Sequence, residues 1–244
     1  ICRIKNVPRR AAGPDIRQIV IGNEGALCFI TEVTMKLFPY LPQNNRYIAY
    51  KLDDSQMKLG FDCLREVMVN GYRPSFARLY DAADAQQHFS AWLESDKAIL
   101  IWMAEGAEGI TKATYEGIKE LMSKHPELEP VETDLIEKWY LGLNWGPENI
   151  AQEMEEIKAT KNIGITTEVS GCWDCIYEIY KTSCERIANE VPDITMIGGH
   201  SSHSYINGTN MYFCYYYNVV DCAPEEEINK YHNPINQIIC EQVI

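Results

Sequence analysis

The alternation of two periodicities along the chain limits its fold more than any other feature. Between residues 47 and 132, short apolar runs trade places with stretches whose apolar residues recur at helical spacing. Residues 47–52 read as a strand. Asp54 sits where an N-cap belongs, ahead of a helix with Met57, Phe61, Leu64 and Met68 on one face and Gly71 as its stop. Residues 77–80 and the buried run 99–103 read as strands, a helix spans about 110–123, and 127–132 is a weak strand. The order β-α-β-β-α-β is ferredoxin-like. The expected class is therefore α+β, an antiparallel sheet flanked by helices.

The rest of the chain continues the pattern. Residues 134–160 form two polar helical pieces around the turn Asn144-Trp145-Gly146-Pro147, and 163–169 reads as a strand. The helix after it carries Trp173, Ile176, Tyr177, Tyr180, Cys184 and Ile187 at helical spacing. Strands follow at about 194–204 and 210–220, with Asn207-Gly208 as the hairpin turn. A last helix starts near Pro224, where Glu225, Glu226 and Glu227 suit the positive end of the helix dipole. Near the other end, residues 1–17 are basic and turn-rich, Ile19-Val20-Ile21 is a β-branched run, and Gly22-Asn23-Glu24-Gly25 signals a turn. Residues 27–37 alternate as a strand. Pro39, Pro42 and Gln43-Asn44-Asn45 then punctuate the chain, which places a domain boundary between 1–42 and 43–244.

Charge excludes whole classes of partner. The 244 residues carry 22 basic and 35 acidic side chains, a net of −13. No basic run offers the footprint of a nucleic-acid binder, and no apolar run reaches the roughly 20 residues of a membrane span. Nine cysteines without a signal peptide read as reduced thiols in a cytoplasm. The chain begins at Ile1 inside a basic segment and ends in the apolar Gln237–Ile244 stretch without a capping Gly, so it is expected to be a fragment, truncated at its C-terminus. A homodimer is left open.

Several groups offer chemistry. The Gly22–Gly25 turn lets backbone N–H groups approach a ligand with no Cβ in the way. In residues 212–217, alternation sends Tyr212, Cys214 and Tyr216 to one face and Phe213, Tyr215 and Tyr217 to the other. His200 and His203 are three apart, so a strand would put them on opposite faces, and a shared metal would need a bulge or turn. No metal is expected. Cys172-Trp173-Asp174-Cys175 is a Cys-x-x-Cys with no second pair to complete a zinc site, and is expected to hold structural thiols.

The longer pattern around the turn, from Gly22-Asn23-Glu24-Gly25 through Cys28-Phe29-Ile30-Thr31-Glu32 to Phe38-Pro39, resembles the segment that closes the flavin domain of FAD-linked oxidases of the vanillyl-alcohol-oxidase type. The resemblance implies that 1–42 ends an FAD-binding domain and 43–244 is a substrate-binding cap domain. It implies FAD as cofactor, held here by Gly22, Asn23, Glu24, Gly25, Cys28 and Ile30. Within the family, the likeness is to the alkylglycerone-phosphate synthase-like and D-lactate dehydrogenase-like branches. Three stretches carry it: 74–81, with Arg78; 168–174, with Trp173; and the hairpin 205–213, with Tyr212. By position, Arg78 and Trp173 would bind an anionic small molecule. Tyr212, His200 and His203 would do the proton chemistry, His200 standing where the synthases have arginine.

Asn23, Ala26, Cys28 and Phe29 depart from the family's Ser, Thr, Gly and Val. The expected function is the substrate-domain portion of a soluble FAD-dependent oxidoreductase acting on the CH–OH group of a 2-hydroxy acid or alcohol, inactive as this chain alone. The alternatives are a redox-neutral synthase that exchanges acyl for alkyl, and a non-catalytic binding module that has lost the flavin.

Overall fold

The computed structural model describes residues 2–4, 7, 13–144, 146–219 and 222–243. Parts of the basic segment 1–17, Trp145 of the expected turn, and the far end of the strand expected to reach 220 lie outside them. The chain divides into two compact units, residues 1–40 and 41–244.

In the first unit the β-branched run closes a single helical turn, α1 (Arg17–Val20). The glycine-rich turn forms as its residues require: Gly22, Glu24 and Gly25 take φ of 75°, 48° and 83°. Asn23 pins it, its Oδ1 accepting from the amides of Gly25, Leu27 and Cys28. The strand expected over 27–37 does not form. Residues 28–41 lie in no helix or strand, and Phe29 and Leu37 are 91% and 86% exposed. Alternation prepares a segment for a sheet, but the ladder needs a neighbour, and none among the described residues pairs with it.

The second unit runs β1 (Arg46–Asp53), α2 (Met57–Val69), β2 (Phe76–Tyr80), α3 (Ala82–Phe89), β3 (Lys97–Ala104), α4 (Glu108–Met122), β4 (Glu129–Pro130), α5 (Thr133–Leu141), α6 (Pro147–Thr160), β5 (Asn162–Cys172), α7 (Ile176–Glu190), β6 (Ile194–Ser201), β7 (Gly208–Asn218), α8 (Pro224–Glu227) and α9 (Asn233–Val243). The strands make one sheet in the order β4-β1-β3-β2-β6-β7-β5, every neighbouring pair antiparallel. The α+β class holds.

Four details differ from the sequence reading. Asp54 does not cap α2; it lies in a 3-10 turn, and its Oδ1 accepts from the amide of Ala82 at 2.7 Å, at the start of α3. The sequence reading lacked α3 itself. The β6–β7 turn closes around Ile206-Asn207, because the Tyr205 amide donates to the Gly208 carbonyl. Between α8 and α9, residues 228–232 form a π-helical turn. There Tyr217 stacks on Tyr231 at 3.9 Å and its hydroxyl donates to Glu227.

The core lies on both sides of half the sheet. One face packs α2, α4, α7 and α9 through Leu79, Trp102, Ile179, Phe213, Tyr215 and Ile239. A smaller cluster on the other face joins Tyr80, Phe89, Ile99, Ile101 and Ile136 under α3 and α5. Over β5, the second face is open: Gly164, Thr166, Glu168, Ser170 and Cys172 alternate as exposed residues with half-buried ones.

Candidate active site

Strand register builds a polar row across the open face. Tyr80 pairs with His200, His200 with Tyr212, and Tyr212 with Glu168, so the four side chains stand abreast on β2, β6, β7 and β5. Arg78 stands two residues from Tyr80 and therefore on the same face. The alternation expected for residues 212–217 is the alternation found, with Phe213, Tyr215 and Tyr217 in the helix-covered core.

Each member of the row is held by its neighbours. The His200 ring lies between two phenols, 5.1 Å and 20° from Tyr212 and 4.8 Å and 34° from Tyr80. Its Nδ1 is 2.6 Å from Oδ2 of Asp84 on α3 and 3.9 Å from the Cys214 sulfur. His88 follows Asp84 by one helical turn, its Nε2 3.9 Å from Asp84 Oδ1. Arg78 donates to the Tyr80 hydroxyl at 2.6 Å and lies against the rings of Tyr80 and Trp139. Glu168 stands beside Tyr212 across the β5–β7 ladder, and its carboxylate holds the phenol above its ordinary pKa. Asn210 braces Glu168 with its amide at 2.8 Å, while its carbonyl oxygen accepts from the backbone of Ser202 and His203.

Beneath the row is a buried carboxyl. Asp81 caps α3 by accepting from the Asp84 amide at 2.8 Å, and also accepts from the Gly199 amide at 2.7 Å and the Tyr180 hydroxyl at 2.8 Å. Burial raises it to about 7, against the pull of these donors. The pair Gly198-Gly199 makes the approach feasible: a Cβ on Gly198 would meet the Asp81 carboxyl, and one on Gly199 the Tyr212 carbonyl. Beside the row, an open groove of about 780 Å³ runs between α3 and α6, past Gln87, His88, Glu153, Glu156 and Tyr216.

The structure thus brings Arg78, His200 and Tyr212 together. It leaves two expected residues apart. β6 ends at Ser201, so His203 lies exposed in the loop beyond, its Nδ1 beside the Ser202 hydroxyl. Trp173 packs against the larger core on the helix-covered face, and its indole N–H donates to the carbonyls of Tyr205 and Ile206. It straps the hairpin instead of facing the row. Cys172 and Cys175 are exposed free thiols at the turn into α7, where the Cys175 thiol donates to the Cys172 carbonyl at 3.4 Å. Gly22, Asn23, Glu24, Gly25, Cys28 and Ile30 belong to the first unit.

Asp84, Asp81 and Glu168 were not picked out as site residues. The first two had a readable signal: Asp81-Ala82-Ala83-Asp84 has a capping residue and an acid three positions on, the start signature of a helix.

The chain is similar in sequence to FAD-linked oxidoreductases, and solved structures share its fold. It is 61% identical over 247 residues to the uncharacterized FAD-linked oxidoreductase YgcU of Escherichia coli strain K12, a match covering all of this chain and 50% of that protein. It is 33% identical over 135 residues to an alkyldihydroxyacetonephosphate synthase of Caenorhabditis elegans, covering 50% of this chain and 22% of the synthase. Among solved structures, an alkyldihydroxyacetonephosphate synthase superposes with a TM-score of 0.68 at 18% identity, over 95% of this chain and 44% of its own. A 4-ethylphenol oxidase from Gulosibacter chungangensis gives 0.54 at 9%, over 86% and 45%. No protein-family model matches. The chain spans about half the length of the YgcU relatives it matches. Among the described residues no helix is long and apolar enough to cross a membrane.

Proposed function

We propose that the intact protein is an FAD-dependent oxidoreductase acting on the CH–OH group of an anionic 2-hydroxy acid or alcohol, with this chain supplying the substrate domain. The observation that carries the reading is the row itself, which sets an imidazole and a phenol abreast on one sheet face with a cation two residues along β2 from Tyr80. Arg78 binds the anionic group through the donors that Tyr80 leaves free. The Glu168 carboxylate keeps the Tyr212 phenol protonated at neutral pH, so Tyr212 orients the substrate hydroxyl and His200 takes its proton through Nε2.

The open backbone of the first unit's turn supports a flavin site there. No atom stands within 4 Å of where a Cβ would be at Gly22 or Gly25, which leaves the backbone open to a flat ring. Gly22, Asn23, Glu24, Gly25, Cys28 and Ile30 are the residues of this chain that would hold it. When bound, FAD supplies a two-electron acceptor for the hydride that leaves the carbon.

The second reading, redox-neutral synthase chemistry, draws on the 33% identity to the C. elegans synthase. An absorbance spectrum of the intact protein separates the two. Flavin bands that bleach on adding 2-hydroxy acids support the dehydrogenase. Bands that persist under a panel of such acids favour the synthase. No flavin, even after adding FAD, overturns both and leaves a binding module.

A further inference from the structure

We propose that Asp84 is the positioning residue of His200: it holds the proton on Nδ1 and so makes Nε2 the nitrogen that faces substrate. The proposal rests on the reading of His200 as proton acceptor. Four observations carry it. First, Nδ1 and Asp84 Oδ2 are 2.6 Å apart, with the Asp84 side chain 4% and the His200 side chain 16% exposed. An acceptor-only carboxylate at that distance selects the Nδ1–H form of a neutral ring. Second, the carboxylate is placed by backbone, because the Asp84 amide is tied to the cap Asp81, itself tied to β6 through Gly199. Third, the rings of Tyr80 and Tyr212 stand 4.8 Å and 5.1 Å from the His200 ring and oppose a flip that would carry Nδ1 away from Asp84. Fourth, no described residue hydrogen-bonds Nε2.

The same geometry sets aside a cysteine nucleophile. In a nucleophile–base–orienter triad the two partners address opposite ring nitrogens. Here Cys214 and Asp84 both address Nδ1, and burial with the nearby carboxylates pushes the thiol up, so it stays neutral. The titratable and charged groups around His200 are Asp84 and His88 on α3, Arg78, Tyr80 and Asp81 on or after β2, Tyr212 and Cys214 on β7, and Glu168 on β5. His88 is pushed down by burial and leaves the Asp84 charge to His200.

The test uses the intact protein with isotope-labelled histidine, His200→Gln serving to assign the signal. Long-range nitrogen–proton correlation is expected to show His200 as the Nδ1–H tautomer. Asp84→Ala, which removes the acceptor, should shift the ring toward the Nε2–H tautomer, and kcat should fall on the order of 100-fold, with KM little changed because Arg78 is intact. Asp84→Glu, which restores a carboxylate acceptor, should return the Nδ1–H signature toward wild type, and thermal melts check that each variant folds. An unchanged tautomer in Asp84→Ala overturns the proposal. A shifted tautomer with unchanged kinetics upholds the Asp84–His200 assignment and overturns the base reading. A cobalt titration giving a thiolate-to-metal charge-transfer band that Cys214→Ala abolishes also overturns it, because Nδ1 would then be a metal ligand among Asp84, His200 and Cys214.

Discussion

Arg78 is a half-buried cation, and among the described residues it meets a phenol and two aromatic faces but no carboxylate. In a chain with 35 acidic side chains that choice leaves its charge for a ligand. Arg78→Gln should therefore raise KM for an anionic substrate by about 10–100-fold, the loss of one charge-assisted contact, with kcat less affected; steady-state kinetics across neutral and anionic substrates check it. Tyr212→Phe should keep the fold and lower kcat, since the neighbouring Glu168 is already exposed to water and braced by Asn210.

Asp81 makes a pH prediction. In the unfolded chain the group loses its proton near 3.8, whereas burial holds it to about 7 in the fold. Between these values the folded state binds more protons, so the contribution of Asp81 to stability is complete below pH ~4 and is lost as pH rises through ~7. Urea midpoints at pH 5 and pH 8 should show the loss, and Asp81→Asn should flatten it. Arg78, His200 and Tyr212 were legible in the sequence because each sits in a local motif. The helix start Asp81–Asp84 could also be read, but that Asp84 meets His200 and Glu168 stands beside Tyr212 could not, because those neighbours meet only through strand register and helix packing.

The β6–β7 hairpin is the element on which the site depends. Gly199 lies so close to the Tyr212 carbonyl that no Cβ fits between the strands. Gly199→Ala should destabilise the fold by about 1–3 kcal/mol, the usual cost of overpacking, and should loosen the His200–Tyr212 stack; thermal melts and near-ultraviolet circular dichroism check the two effects. Short elements were the hardest to read. α3 has eight residues, and beside Asp84 its buried side carries three apolar residues, Ala82, Ala85 and Phe89, too few for hydrophobic periodicity to register. Residues 27–37 failed in the opposite way: their alternation is clear, but a strand is a property of two segments, and the described residues supply only one.

At the scale of the molecule, the cut after residue 40 predicts that a chain of residues 41–244 unfolds in one cooperative transition at the temperature of the longer chain's main transition, by calorimetry. The sheet order and both cores lie within that unit. The alternation of β7 has a consequence for how such a chain tolerates change. Met211, Phe213, Tyr215 and Tyr217 are wholly buried under helices, whereas Tyr212, Cys214 and Tyr216 look onto the other face. A saturation scan along this strand should give a sawtooth: odd positions losing folded protein, even positions keeping it but losing turnover. Selection for abundance and selection for chemistry would then act on separate, interleaved sets of residues, so the substrate face could be rewritten without reopening the core.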